Sequence, residues 1–102
     1  MTQDEFNALV TKRLTKCRKV LCIKAEDYAN DKDRLHNFKD GAFLTGQTPE
    51  QYALSLITKH IIAIRDKLLK AEPMTPEFVS EKIGDIINYM LLMEAIITEE
   101  WE

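Results

Sequence analysis

The 102-residue sequence predicts an all-α domain of three main helices, with a short helix in the 29–48 connection between the first and the second. Three observations carry that prediction. Gly and Pro occur only three times each, so few positions interrupt regular structure. Apolar residues recur at helical spacing through three long segments. Each of those segments opens on a threonine suited to cap a helix.

Thr2 and Glu5 form a T-x-x-E capping box, and Phe6, Leu9, Val10, Leu14, Cys17, Leu21 and Tyr28 mark one stripe, predicting a first helix over residues 3–28. The polar stretch "NDKDRLHNFKDGAFLTGQ" follows. Within it "RLHNFKDGAFL" holds a short helix ending at Gly46, since glycine takes the left-handed closing position readily. Thr48, Pro49 and Gln51 start the next helix, and Ala53, Ile57, Ile61, Ile64 and Leu68 give it one face to Lys70. "AEPMTP" breaks the chain before Thr75 and Pro76 open a last helix over 76–99. No repeat or low-complexity tract divides the sequence, so a single domain is expected.

Composition narrows the function classes. The chain is 45% hydrophobic and 30% charged with a formal net charge of -3, so no overall field draws nucleic acid or an anionic membrane. No apolar run approaches the ~18 residues of a membrane span, and no basic-then-apolar leader is evident, so a cytoplasmic protein is expected. Cys17 and Cys22 lie about 140° apart on a helical wheel, which favours reduced thiols over a local metal clip. Residues 12–24 carry six positive charges and no negative one. Without interleaved exposed aromatics or a nucleic-acid motif, that run reads as a solvated or partner-binding face, and a nucleic-acid partner is not expected.

On the last helix, Val79, Ile83, Ile86, Met90, Met93 and Ile97 cluster within ~80° and are the expected core stripe. Glu81, Asp85 and Asn88 fall within ~60° of one another on the opposite side. Leu92 continues their line, and from Ile86 to Ile97 only Asn88 and Glu94 are strongly polar. A helix apolar all round is buried all round, and three helices of this length can hardly enclose it. Self-association is therefore expected, with the carboxylates at the mouth of a buried zone. Glu81 and Asp85, one turn apart, can share a divalent cation with further oxygens and waters, or form a salt bridge with Lys82 or a partner subunit's basic residue.

Lys24 falls on the apolar stripe of the first helix, where it can pair with Asp27 or reach past the core to a phosphate. "EDYANDKDRLHNF" gathers Glu26, Asp27, Asp31 and Asp33, but an EF-hand register starting at Asp27 fails, with Lys32 at the glycine position and Phe38 at the final glutamate. What remains, with Arg34, Asn37 and Phe38, suits a polar, partly aromatic ligand such as a nucleotide, and also an ordinary loop. His60, beside Lys59 and ahead of Asp66, reads as a structural histidine at the edge of an apolar stripe. No Ser/His/Asp series, Gly-rich phosphate loop or Cys/His metal spacing occurs, so nucleophilic catalysis and Walker-type ATP use have no support.

Three stretches, "KAEDYANDKDRLHNF" (24–38), "KH" (59–60) followed by Asp66, and "EKIGDIINY" (81–89), resemble a group of small phage-encoded proteins related to the nucleotide modification associated domain. That group is similar to the all-α MazG-like nucleotide pyrophosphohydrolases, and the resemblance spans residues 24 to about 97. It implies a MazG-like helical bundle completed by homo-oligomerisation, working in the host cytoplasm on a nucleotide ligand. It also implies magnesium held by carboxylates of more than one helix while water attacks between phosphates. The residues so implicated are Asp27, Asp66, Glu81 and Asp85 as metal ligands, with Lys24 and Asp85 in catalysis. Lys24, Arg34, Asn37, Phe38, Lys59, His60, Asn88 and Tyr89 are implicated in substrate binding. Asp85 matches the last acid of the family's Glu-x-x-Glu and Glu-x-x-Asp pair of motifs. Lys82 stands where the third acid belongs, and the 49–70 helix has only Glu50 and Asp66. One carboxylate fewer weakens magnesium binding, while a lysine there suits phosphate. Three functions follow as expectations: pyrophosphohydrolysis, nucleotide capture without cleavage, or inhibition of a host macromolecule through the basic face of the first helix.

Overall fold

The computed structural model describes residues 1–23 and 33–101, and these fold into four α-helices with no strand among them. The helices are α1 (Gln3–Arg18), α2 (His36–Thr45), α3 (Pro49–Leu69) and α4 (Pro76–Glu99). The predicted all-α class and the short helix in the connection are both present.

Cap chemistry sets most of the boundaries. The Thr2 hydroxyl accepts from the Glu5 N–H at 3.1 Å, and that of Thr75 from Phe78 at 3.1 Å. At α3 the box is reciprocal: Thr48 Oγ1 accepts from the Gln51 N–H, while Gln51 Oε1 accepts from the Thr48 N–H. α2 ends as expected at Gly46, whose φ of 66° lets the Gln47 N–H reach the Ala42 carbonyl at 2.9 Å. Its start falls within the predicted stretch, at His36, but the chemistry that fixes it was not predicted. Asp33 Oδ1 accepts from the Leu35 N–H, and Lys39 bonds both Asp33 and Glu99 at 2.7 Å, tying α2 to the end of α4.

The first helix departs from the expected 3–28 span. α1 ends at Arg18, and five residues of wider π-helix, Lys19–Ile23, carry the chain on. Over Lys19–Ile23 the π turn departs from the 100° spacing of an α-helix. Lys24 and Asp27 lie outside the described residues.

The core is small: Leu35 and Phe38 from the α2 region, Ala53 of α3 and Ile96 of α4, with Tyr52, Leu56, Tyr89, Leu92 and Met93 packed around them. α3 and α4 share the most extensive packing, α2 lies on α3, and α1 rests on α4. In α1 only Cys17 is buried. The face of α4 that turns inward is not the predicted one. Gly84, Asn88 and Ile96 are buried, whereas Ile83 and Met90 of the expected core stripe are 41% and 52% exposed. Periodicity misassigned the face because α4 offers apolar residues almost all round, so the positions of α1 and α3 decide which side is covered. No described helix is long and apolar enough to cross a membrane.

Candidate functional site

Where α2, α3 and α4 meet the π-helical segment after α1, a cleft of about 290 Å³ opens. Its lining includes Arg34, Asn37 and Phe38 on one side and Asp85, Asn88 and Tyr89 on the other. These are predicted site residues from two distant stretches, brought together because α2 and α4 both pack against α3. The walls are aromatic. Phe38 meets Tyr52 and Tyr89 edge to face, each with centroids 6.4 Å apart, a geometry that fixes ring planes as well as burying area. The Arg34 guanidinium reaches the Leu21 carbonyl at 3.5 Å, which holds its positive charge at the rim.

A second cavity of about 360 Å³ adjoins the first and shares Val20, Asp85 and Asn88 with it. It runs between α1 and α4, with Arg13 and Lys16 on one wall and Glu77, Ser80 and Glu81 on the other. Arg13 lies across α4, its Nη1 donating to Ser80 Oγ at 3.3 Å. Gly84 makes this possible, since a Cβ there would sit 3.0 Å from Arg13 Nη1. The Cys17 thiol lies 3.9 Å from the Gly84 carbonyl, and burial pushes its pKa up, opposed by Arg13 and assisted by Asp85. Cys17 and Cys22 are both free thiols, the first buried and the second exposed.

His60, on α3, touches two residues of the cleft lining without lining either cavity itself. Its ring stacks on Tyr89 with centroids 5.7 Å apart, and Nε2 lies 3.8 Å from Asp85 Oδ2. Burial raises the Asp85 pKa first, with Glu81 adding to the rise and His60 and Lys82 opposing it. The Tyr89 hydroxyl is shifted up by burial and then by Asp85. Asn88 is 7% exposed, and its Oδ1 is a buried acceptor without a hydrogen-bond partner among the described residues. A buried acceptor left unpaired is destabilising by about 1–3 kcal/mol, and a ligand donor would relieve it.

The remaining predicted residues are placed apart from the first cleft or only at its edge. Lys59 is exposed next to His60 and does not line it. Asp66 accepts from Arg65 at 3.0 Å, and Glu81, in the second cavity, accepts from Lys82 at 3.2 Å. Among the described residues no three His, Cys, Asp or Glu side chains are grouped to hold one ion. Of the predicted metal ligands, Glu81 and Asp85 are the two that line the second cavity.

Arg13, Lys16, Tyr52 and Leu56 were not among the predicted ligand-binding residues, although Arg13 and Lys16 belong to the basic run read as a solvated or partner-binding face. The signal for two of them was present in the glycines. Gly84 and Gly41 interrupt helices, where glycine is unfavourable, and each lies under a cleft side chain: Arg13 over Gly84, the Tyr52 ring over Gly41.

Asp85 offers a direct pH test. Its folded pKa is raised, so the folded state holds this proton more tightly, and its contribution to stability falls as pH rises from the ordinary carboxylate range through the raised value. Asp85→Asn is therefore expected to stabilise the ligand-free protein at pH 7 and to lose that advantage near pH 4. With the side chain 42% exposed, solvent screening limits the gain to a melting increment of ~2 °C. Melting curves of both proteins between pH 4 and 8 check this, and parallel curves would contradict it.

No protein-family model, curated protein or solved structure matches the chain.

Proposed function

We propose that the protein binds a nucleotide in the double cleft, with the base between the aromatic walls and the phosphates along α1. The observation that carries this reading is the convergence of Arg34, Asn37 and Phe38 with Asp85, Asn88 and Tyr89 around one cavity. Phe38, Tyr52 and Tyr89 give apolar, ring-shaped surface for a base. Asn88 Oδ1 is an acceptor in want of a donor such as an exocyclic amine. Arg13 and Lys16, in the adjoining cavity, and Arg34 at the rim carry the positive charge that phosphates require.

Thermal melting against ribo-, deoxyribo- and cyclic nucleotides, in chelator and in magnesium, tests the proposal. A ligand at ~100-fold its Kd stabilises the native state by about 2.7 kcal/mol, or ~10 °C and more for a domain of this size. One nucleotide class is expected to give such a shift, and Arg34→Ala to reduce it strongly. A folded sample that no nucleotide shifts, with or without metal, overturns the reading.

Hydrolysis is the second reading, favoured by one observation: the Asp85 carboxylate, which lines both cavities, has the His60 imidazole 3.8 Å away. Such a pair is suited to orient water and take its proton. Release of pyrophosphate or phosphate from the bound nucleotide in magnesium or manganese, abolished by His60→Ala with binding retained, supports it. Binding without turnover leaves capture as the function.

A further inference from the structure

We infer that α1 is a dimerisation helix, and that its occupant is α1 of a second copy of this chain, running antiparallel. Among the described residues the face exists and is uncovered. Phe6, Leu9 and Leu14 of α1 are 51%, 50% and 52% exposed, and Ile83 of α4 beside them is 41% exposed. Between the two helices runs an apolar groove of about 920 Å³, with Leu9, Val10, Leu14, Met74, Val79 and Ile83 along it. Phe6, Val10 and Leu14 follow one another at four-residue steps, the kind of ridge that packs into the groove of a facing helix.

Area argues for a second copy. A stable interface takes ~800 Å² from each partner, about two-thirds of it apolar in homodimers. The half-exposed apolar side chains of α1, Met74 and Ile83 together offer roughly 500 Å², close to that apolar requirement.

Charge argues for the antiparallel arrangement. α1 is polarised along its length: Asp4 and Glu5 stand in its first turn, and from Phe6 to Lys19 the chain holds five cations and no acid. A two-fold axis passing beside Val10 sets the acidic turn of each copy against the basic half of the other. Parallel packing would instead set cations against cations. Because Arg13 and Lys16 project from this same helix into the second cavity, the dimer would also fix the wall that carries the phosphate-binding charge.

Sedimentation equilibrium of the full chain between 1 and 500 µM tests the inference, with far-UV circular dichroism confirming that each variant stays helical. The parent is expected to dimerise. Leu14→Glu should weaken the dimer by ~100-fold or more, while Leu69→Glu, at a 77% exposed site on α3, should leave it unchanged. Glu5→Lys and Lys16→Glu should each weaken it several-fold, and the two together should restore it, since the exchanged charges face each other only in the antiparallel pair. A chain that stays monomeric to 500 µM overturns the inference. So does a dimer indifferent to Leu14→Glu, or one that the double charge exchange fails to restore. The nucleotide proposal stands or falls separately, because melting shifts report on the cleft in a monomer as well.

Discussion

Phe38→Ala is expected to lower the stability of the domain by about 3–4 kcal/mol, which for ~100 residues is a fall of ~20 °C in the melting midpoint. Phe38 is 7% exposed and sits at the centre of the small core, in contact with Leu35, Ala53 and Ile96 and edge-on to two tyrosines. Few other large side chains are so well buried here, so the cavity left behind has little around it that can collapse inward. Total stability for a domain of this size is about 5–15 kcal/mol, and one substitution would remove a large part of it. Phe38→Leu separates the two roles of the ring. It keeps most of the volume and should lose only about 1 kcal/mol, but it removes the aromatic wall and should diminish any nucleotide-induced melting shift. Chemical denaturation of both variants checks the first claim. Equal losses for Ala and Leu would contradict the packing account.

Gly41→Ala is expected to destabilise, against the usual sign. In a helix interior, replacing glycine with alanine ordinarily gains about 1 kcal/mol. At Gly41 the new methyl would enter the Tyr52 ring, meeting its hydroxyl oxygen at 2.8 Å and its ring carbons closer still. The ring cannot swing away freely, because its edge contact with Phe38 and its place in the core hold it. A net loss of about 1–2 kcal/mol is expected, or ~5–10 °C in the melting midpoint. In a Tyr52→Ala background the same change should recover its ordinary stabilising sign, so a double-mutant cycle should show coupling well above 0.5 kcal/mol. Additive effects would show that the close approach is not what holds Gly41 as glycine.

Helix ends were legible in the sequence because caps are local chemistry. Thr48 with Pro49, Thr75 with Pro76, and Gly46 each mark a boundary through bonds to residues a few positions away. The break at Lys19 was not legible, since a π turn leaves no composition signal in a continuous apolar pattern. Nor was the inward face of α4: a helix with apolar residues nearly all round has no preferred side until its neighbours are in place. The line through Glu81, Asp85 and Asn88 was nevertheless informative. Its continuation into Leu92 marked a side that could not be open surface throughout, and in the fold Asn88 is buried and Asp85 half-buried. The surroundings of His60 were not legible for the opposite reason. Its partners Asp85 and Tyr89 are on another helix, and no spacing within α3 reveals them.

α4 is the one helix on which both α1 and α3 are seated, and the double cleft straddles that joint. With only Cys17 buried, α1 is the element whose detachment would expose the least core, and an element held by so little burial is one that can open locally while the rest stays folded. A ligand that touches α1 on one side and α2 and α4 on the other acts as a clamp across this joint. Its measured affinity is then its intrinsic affinity reduced by the fraction of molecules in which α1 is docked. Anything else that holds α1 in place would raise that affinity without touching the ligand.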